Sequence, residues 1–121
     1  MKKVLYIVIV FVICIMFYGC NKNEEVSNKL TKELAYKGVS NYCHKEYDFS
    51  SSENNSTVMY IEYGNETETD YQIIFRSYTG AFVYFYVDKI NGYTKIEEYA
   101  PIVNETNAIG TININDYLKG N

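Results

Sequence analysis

The chain has no tryptophan, and proline and histidine occur once each, at Pro101 and His44. One histidine cannot supply an H-E-x-x-H zinc site or two imidazoles to a single metal. No glycine-rich phosphate loop and no G-x-S-x-G elbow are present, which removes nucleotide cradling and serine-hydrolase chemistry of those types. Positive charge is also scarce. Eleven Lys and Arg face fifteen Asp and Glu, for a net charge of −4, so a nucleic-acid partner is not expected. The three cysteines, Cys14, Cys20 and Cys43, offer no obvious disulfide pair. No cofactor and no metal are expected.

What the chain does have begins at its start. Lys2 and Lys3 precede an uncharged apolar run from Val4 to Tyr18, with Gly19 and Cys20 following. The run is shorter than the roughly 20 residues of a membrane-spanning helix. A basic start, a short apolar core and a small residue at its end form the pattern of an export signal over residues 1–19. The segment read alone leaves two outcomes open: cleavage, or retention as an anchor with Cys20 an ordinary thiol.

The stretch Phe17-Tyr18-Gly19-Cys20 resembles the lipobox of bacterial lipoproteins. That resemblance implies a diacylglyceryl group on the Cys20 thiol, cleavage between Gly19 and Cys20, and Cys20 as the new N-terminus. It also implies a location on the outer face of the cell membrane, held through lipid. Two acyl chains give a stable anchor where one gives only a marginal one. Residues 20–25 then serve as a polar tether, and 26–121 as a single α+β domain. Without Lys2 and Lys3 the chain carries nine basic against fifteen acidic side chains, a net charge of −6. A second, electrostatic attachment to anionic lipid is therefore not expected.

The segment EEVSNKLTKELAYKGVSNYCHKE predicts a helix over 24–46, with Asn23 as its cap. Val26, Leu30, Leu34, Val39, Tyr42 and Cys43 recur along one face. Gly38 inside it costs about 1 kcal/mol relative to alanine and marks a bend or a close contact. YDFSSSENNST reads as a break. Four strand-like runs follow: TVMYIEY, DYQIIFR, AFVYFYVDKI and YTKIEEY, rich in β-branched and aromatic residues.

The turns between the runs set a register. A three-residue loop Tyr78-Thr79-Gly80 puts glycine where positive φ is needed, and Asn91-Gly92 is the strongest short hairpin signal. A two-residue loop at Asn91-Gly92 pairs Asp88 with Lys95 and Tyr84 with Tyr99. Tyr71, Ile73, Phe75, Val83, Phe85, Val87 and Ile96 then share one face. Gln72, Ile74, Arg76, Phe82, Tyr84, Tyr86, Asp88, Lys95, Glu97 and Tyr99 share the other. Pro101 ends the last run; TINI reads as a short edge strand and NDYL as one helical turn. The expected fold is α+β, one N-terminal helix on a four-stranded antiparallel meander in two layers.

The stretch FVYFYVDKINGYTKIEEY resembles the hairpin of PepSY domains, and the element order is similar to cystatin-like folds. The resemblance implies an exported protein and an association with protease inhibition, and carries no functional residue. The chain as a whole is similar to the short lipoproteins of low-GC Gram-positive bacteria, which implies location alone.

Among candidate sites, Cys43 and His44 are helix neighbours about 100° apart and cannot act as a nucleophile–base pair. The acidic turn Glu66-Thr67-Glu68-Thr69-Asp70 lacks the spacing of a calcium loop and reads as solvated charge. The sequons at Asn54, Asn55, Asn65 and Asn104 read as asparagine-rich turns. Phe82, Tyr84, Tyr86 and Tyr99, beside Arg76, form the most suggestive feature, an aromatic strip of residue types that dominate interface energies. The sequence therefore points to a lipid-anchored extracytoplasmic binding or interaction domain without catalysis, with a protein or peptide partner. A small cell-envelope hydrolase using carboxylates and an inhibitor or immunity lipoprotein are the alternatives.

Overall fold

The computed structural model describes residues 29–49 and 58–119. Gly19, Cys20, Asn23 and Val26 lie outside the described residues, as does the middle of the serine- and asparagine-rich break. One helix, α1 (Lys32–Glu46), packs on an antiparallel sheet. The sheet is a meander of five strands in sequence order: β1 (Tyr60–Glu66), β2 (Asp70–Arg76), β3 (Phe82–Asp88), β4 (Tyr93–Ala100) and β5 (Glu105–Asn113). A 3-10 turn, Ile114–Tyr117, follows. The two-layer α+β reading holds, with one strand more than expected.

The fifth strand takes in most of the TINI segment read as a short edge strand and extends it back to Glu105. Residues 105–111 are exposed throughout, so β5 shows no in–out alternation of polarity. It is held by its ladder to β4, from Tyr93↔Asn113 to Ala100↔Glu105. The turn at 101–104 starts with Pro101 and ends at Asn104, which has φ 53°, a conformation asparagine tolerates.

The helix starts later than the 24–46 pattern predicts. Thr31 caps it, its Oγ1 accepting the Leu34 N–H at 3.2 Å. Leu30 is not helical, and its N–H is donated to the Lys89 carbonyl at 2.6 Å. The face α1 buries is Ala35, Gly38, Val39 and Cys43. Leu34, expected in the core, is 42% exposed. Small residues line the contact because Gly38 lies directly against the Ile114 side chain and carbonyl, which brings the helix close to the 3-10 turn.

The sheet contributes the expected core face. Tyr71, Ile73, Phe75, Val83, Phe85, Val87 and Ile96 are all buried, with Ile114 and Met59 joining them. Tyr42 bridges the layers, edge-on to Phe85 at 5.5 Å and to Tyr117 at 5.1 Å between ring centroids. Cys43 is a buried thiol pushed up to about 12 by desolvation, and the neighbouring His44 is exposed and stacked on Phe49.

The β2–β3 turn is as expected: Gly80 has φ +84°, and Ser77 donates its N–H to the Ala81 carbonyl. The β3–β4 register is not. Tyr84 pairs with Glu97 and Phe82 with Tyr99, a slip of two residues from the predicted pairing. Asp88 does not cross to Lys95. Its carboxylate accepts the N–H groups of Ile90 at 2.8 Å and Asn91 at 3.0 Å, and its carbonyl accepts that of Gly92. Only Gly92 in this loop has positive φ, so the two-residue type I′ turn does not form. A slip of two keeps every side chain on its own face, so the face assignment survives.

Candidate functional site

The sheet face away from α1 gathers all five strip residues. Arg76, Phe82 and Tyr99 form one row across β2, β3 and β4; Ile74, Tyr84 and Glu97 the next; Gln72, Tyr86 and Lys95 the third. The rows follow from the antiparallel pairing of strands with strict alternation, which sends each intervening residue to the core. Phe82, Tyr84, Tyr86 and Tyr99 are each half-buried, and Tyr84 and Tyr86 lie against one another. The described tail does not lie on them. After β5 it turns to the helix side, where Ile114 is buried and the Tyr117 carbonyl accepts from Asn41 Nδ2 at 2.8 Å.

The polar groups around the rings are oriented. Tyr84 and Tyr86 have centroids 6.5 Å apart with planes tilted 45°. Burial, then Tyr86 and Tyr99, raise the pKa of the Tyr84 hydroxyl, so the phenol stays a neutral donor. Lys95 Nζ stands 6.0 Å over the Tyr86 ring and pairs with Glu97 at 2.8 Å, and that hydrogen bond raises the pKa of the ammonium. Tyr99 donates its hydroxyl to Asn104 Oδ1 at 3.2 Å. Arg76 Nη1 donates to the Val58 carbonyl at 2.6 Å, so this guanidinium ties down the segment ahead of β1 as well as flanking Phe82.

Beside Tyr86 the face opens into a hollow of about 260 Å³, lined by Asn65, Thr67, Asp70, Gln72 and Tyr86. Its shape comes from β1, whose register shifts between Tyr63 and Glu66. There the Gln72 amide lies over Gly64, in space that a Cβ would fill. Gln72 Oε1 accepts the Asn65 N–H at 2.9 Å, which leaves Nε2 to donate to the Tyr86 hydroxyl at 3.4 Å. Thr67 Oγ1 accepts the Asp70 N–H at 3.0 Å, and Thr69 donates its hydroxyl to Asp70 Oδ2 at 2.9 Å. Sequence reasoning placed Gln72 on this face but read Glu66–Asp70 as solvated charge and Asn65 as part of an asparagine-rich turn. The available signal was Gly64, a glycine inside a strand, which often marks a bulge or a close approach.

A second concave region, about 820 Å³, lies between α1 and the C-terminal turn, lined by Lys37, Asn41, His44, Lys45, Tyr117 and Lys119 among others. Three of its four basic side chains have local explanations. His44 and Lys45 complement the C-terminal end of the helix dipole, and Lys119 meets Asp116 at 3.5 Å.

Carboxylate chemistry finds little support in the electrostatics. Glu66, paired with Lys89, and Asp88, bonded to backbone N–H groups, are both held below the usual carboxylate range, whereas a general acid needs raising. Among the described residues no group of three His, Cys, Asp or Glu side chains is placed to hold a metal ion. No described helix is long and apolar enough to cross a membrane. Comparison of the chain with protein-family models, with curated proteins and with solved structures finds no match.

Proposed function

We propose that this chain is a lipid-anchored extracytoplasmic binding domain whose aromatic sheet face receives the partner. The observation that carries the reading is the half-open strip of Phe82, Tyr84, Tyr86 and Tyr99, set on the face opposite α1 and left uncovered by the described tail. Four partly exposed aromatic rings gathered on one face are of the residue types that carry interface energy. Tyrosine suits the role, because its ring supplies apolar contact while its hydroxyl stays wet.

The N-terminal side of the domain fits attachment at the membrane. Leu30 is pinned to Lys89 at the β3–β4 end of the molecule. The ten residues back to Cys20 reach at most about 33 Å when extended. That is enough to hold the domain near a bilayer with its aromatic face open.

Capture experiments with the full chain in its own envelope extract test the reading. Tyr84→Ser combined with Tyr86→Ser should abolish capture and leave the circular dichroism spectrum unchanged. Capture that survives the double substitution moves the binding surface elsewhere.

A further inference from the structure

We propose that the ligand of this face is a neutral oligosaccharide, with Tyr84 and Tyr86 as stacking surfaces and the hollow beside Tyr86 seating one sugar ring. The proposal rests on the reading of this face as a binding surface and adds the chemical class of what binds.

A pyranose has an apolar C–H face and a rim of hydroxyls, each both donor and acceptor. A site for it needs an aromatic plate and, at the plate's edge, a cluster of mixed polar groups held in place. Tyr84 and Tyr86 supply two such ring surfaces, two positions apart on β3 with centroids 6.5 Å apart and planes tilted 45°. Asn65, Thr67, Asp70 and Gln72 supply the cluster beside Tyr86. The cluster holds itself in position: Gln72 is fixed from Asn65 and Tyr86, and Asp70 from Thr67 and Thr69. Asp70 keeps its second oxygen, and Gln72 its second amide hydrogen, for a ligand.

Charge separates this ligand from an anionic one. The carboxylate of Asp70 lines the hollow, and the nearby ammonium of Lys95 is taken by Glu97. A phosphate or uronate would meet Asp70 unscreened, whereas neutral hydroxyls can donate to it. The alternating positions of β3 add Phe82 as a third ring along the same line, so the face matches a chain of sugar rings better than a single one.

The test is a titration of the full chain in detergent micelles with chitotetraose and with cellotetraose, followed by backbone amide NMR. At least one sugar should give saturable shifts at Asn65, Asp70, Gln72, Tyr84 and Tyr86, with Kd at or below about 1 mM, a typical weak-site affinity. Asp70→Ala, and separately Tyr86→Ser, should weaken that binding tenfold or more. Asp70→Asn, which keeps an acceptor in the turn, covers the case in which alanine disturbs the fold. Absence of these shifts with both sugars at about 10 mM, ten times that Kd, overturns the proposal, as do shifts confined to the α1 side. Protein capture that depends on Tyr84 and Tyr86 without any sugar response overturns the saccharide assignment and leaves the binding-face reading standing. Failure of both assays removes both.

Discussion

The side chain of Gln72 occupies the space where Gly64 lacks one, and this contact orients the polar edge of the candidate binding face.

Gly64→Ala should therefore separate stability from site geometry. Alanine in a strand gains about 0.5–1 kcal/mol over glycine in backbone entropy. Losing the Asn65–Gln72 bond costs about the same, near 1 kcal/mol. The two should nearly cancel in a urea melt, while the Asn65 amide loses its protection from hydrogen exchange. An unchanged Asn65 amide would mean that Gln72 is held by something other than this contact.

Gly38→Ala should go the other way. Alanine gains about 1 kcal/mol of helix propensity. Its Cβ would press on the buried Ile114 side chain and carbonyl, and overpacking of that kind costs about 1–3 kcal/mol. A lower urea midpoint at unchanged slope is the expected result, and a higher midpoint would show that Ile114 moves aside freely.

Phe85 and Leu34 make a contrasting pair. Phe85 is fully buried and central to the core face, so Phe85→Ala should cost about 3–5 kcal/mol. Leu34 is 42% exposed on α1, and Leu34→Ala should stay within about 1 kcal/mol. Chemical denaturation of both variants checks the side of the helix that meets the sheet.

Acid should loosen the β3–β4 loop first. Asp88 is held low by the N–H of Asn91, then that of Ile90. A carboxyl with a depressed folded pKa stabilises above its unfolded value, about 3.9, and that contribution disappears as pH falls through the folded value. The melting temperature should decline below about pH 4, and less steeply in Asp88→Asn, which keeps an acceptor for the loop but has no carboxylate to protonate. Equal slopes in the two proteins would place the acid sensitivity elsewhere, with the Glu66–Lys89 pair the next group to test.

Membrane attachment has its own readout. Mass spectrometry of detergent-extracted protein should find a diacylglyceryl-modified cysteine at Cys20 as the first residue. Cys20→Ala should release the protein or leave the leader attached. An intact Met1, or a mature form soluble without detergent, removes the anchor from the proposal.

The sequence by itself determined which side of each central strand faces the core. Asp70, Gln72 and Arg76 mark the outer side of DYQIIFR, the Gly80 turn sets the register of FVYFYVD against it, and a pleat with period two then assigns both faces, as the alternating burial shows. The same rule placed Phe82, Tyr84, Tyr86 and Tyr99 together on the outer face. Tertiary structure decided what alternation cannot encode. The two-residue slip at β3–β4 leaves every face unchanged; the loop that goes with it is held by Asp88 accepting the Ile90 and Asn91 N–H groups and by Asn113 and Asn115 donating to the Asn91 carbonyl. Strand β5 is exposed over residues 105–111, so the ladder to β4 creates it without a hydrophobic pattern. The face of α1 that meets the core, with Gly38 on Ile114, rests on a contact between segments far apart in the chain, and it leaves Leu34 half-exposed at its edge. The hollow exists because a bulge in β1 lets Gln72 lie over Gly64; the glycine hints at a close approach, but its local sequence does not name the partner.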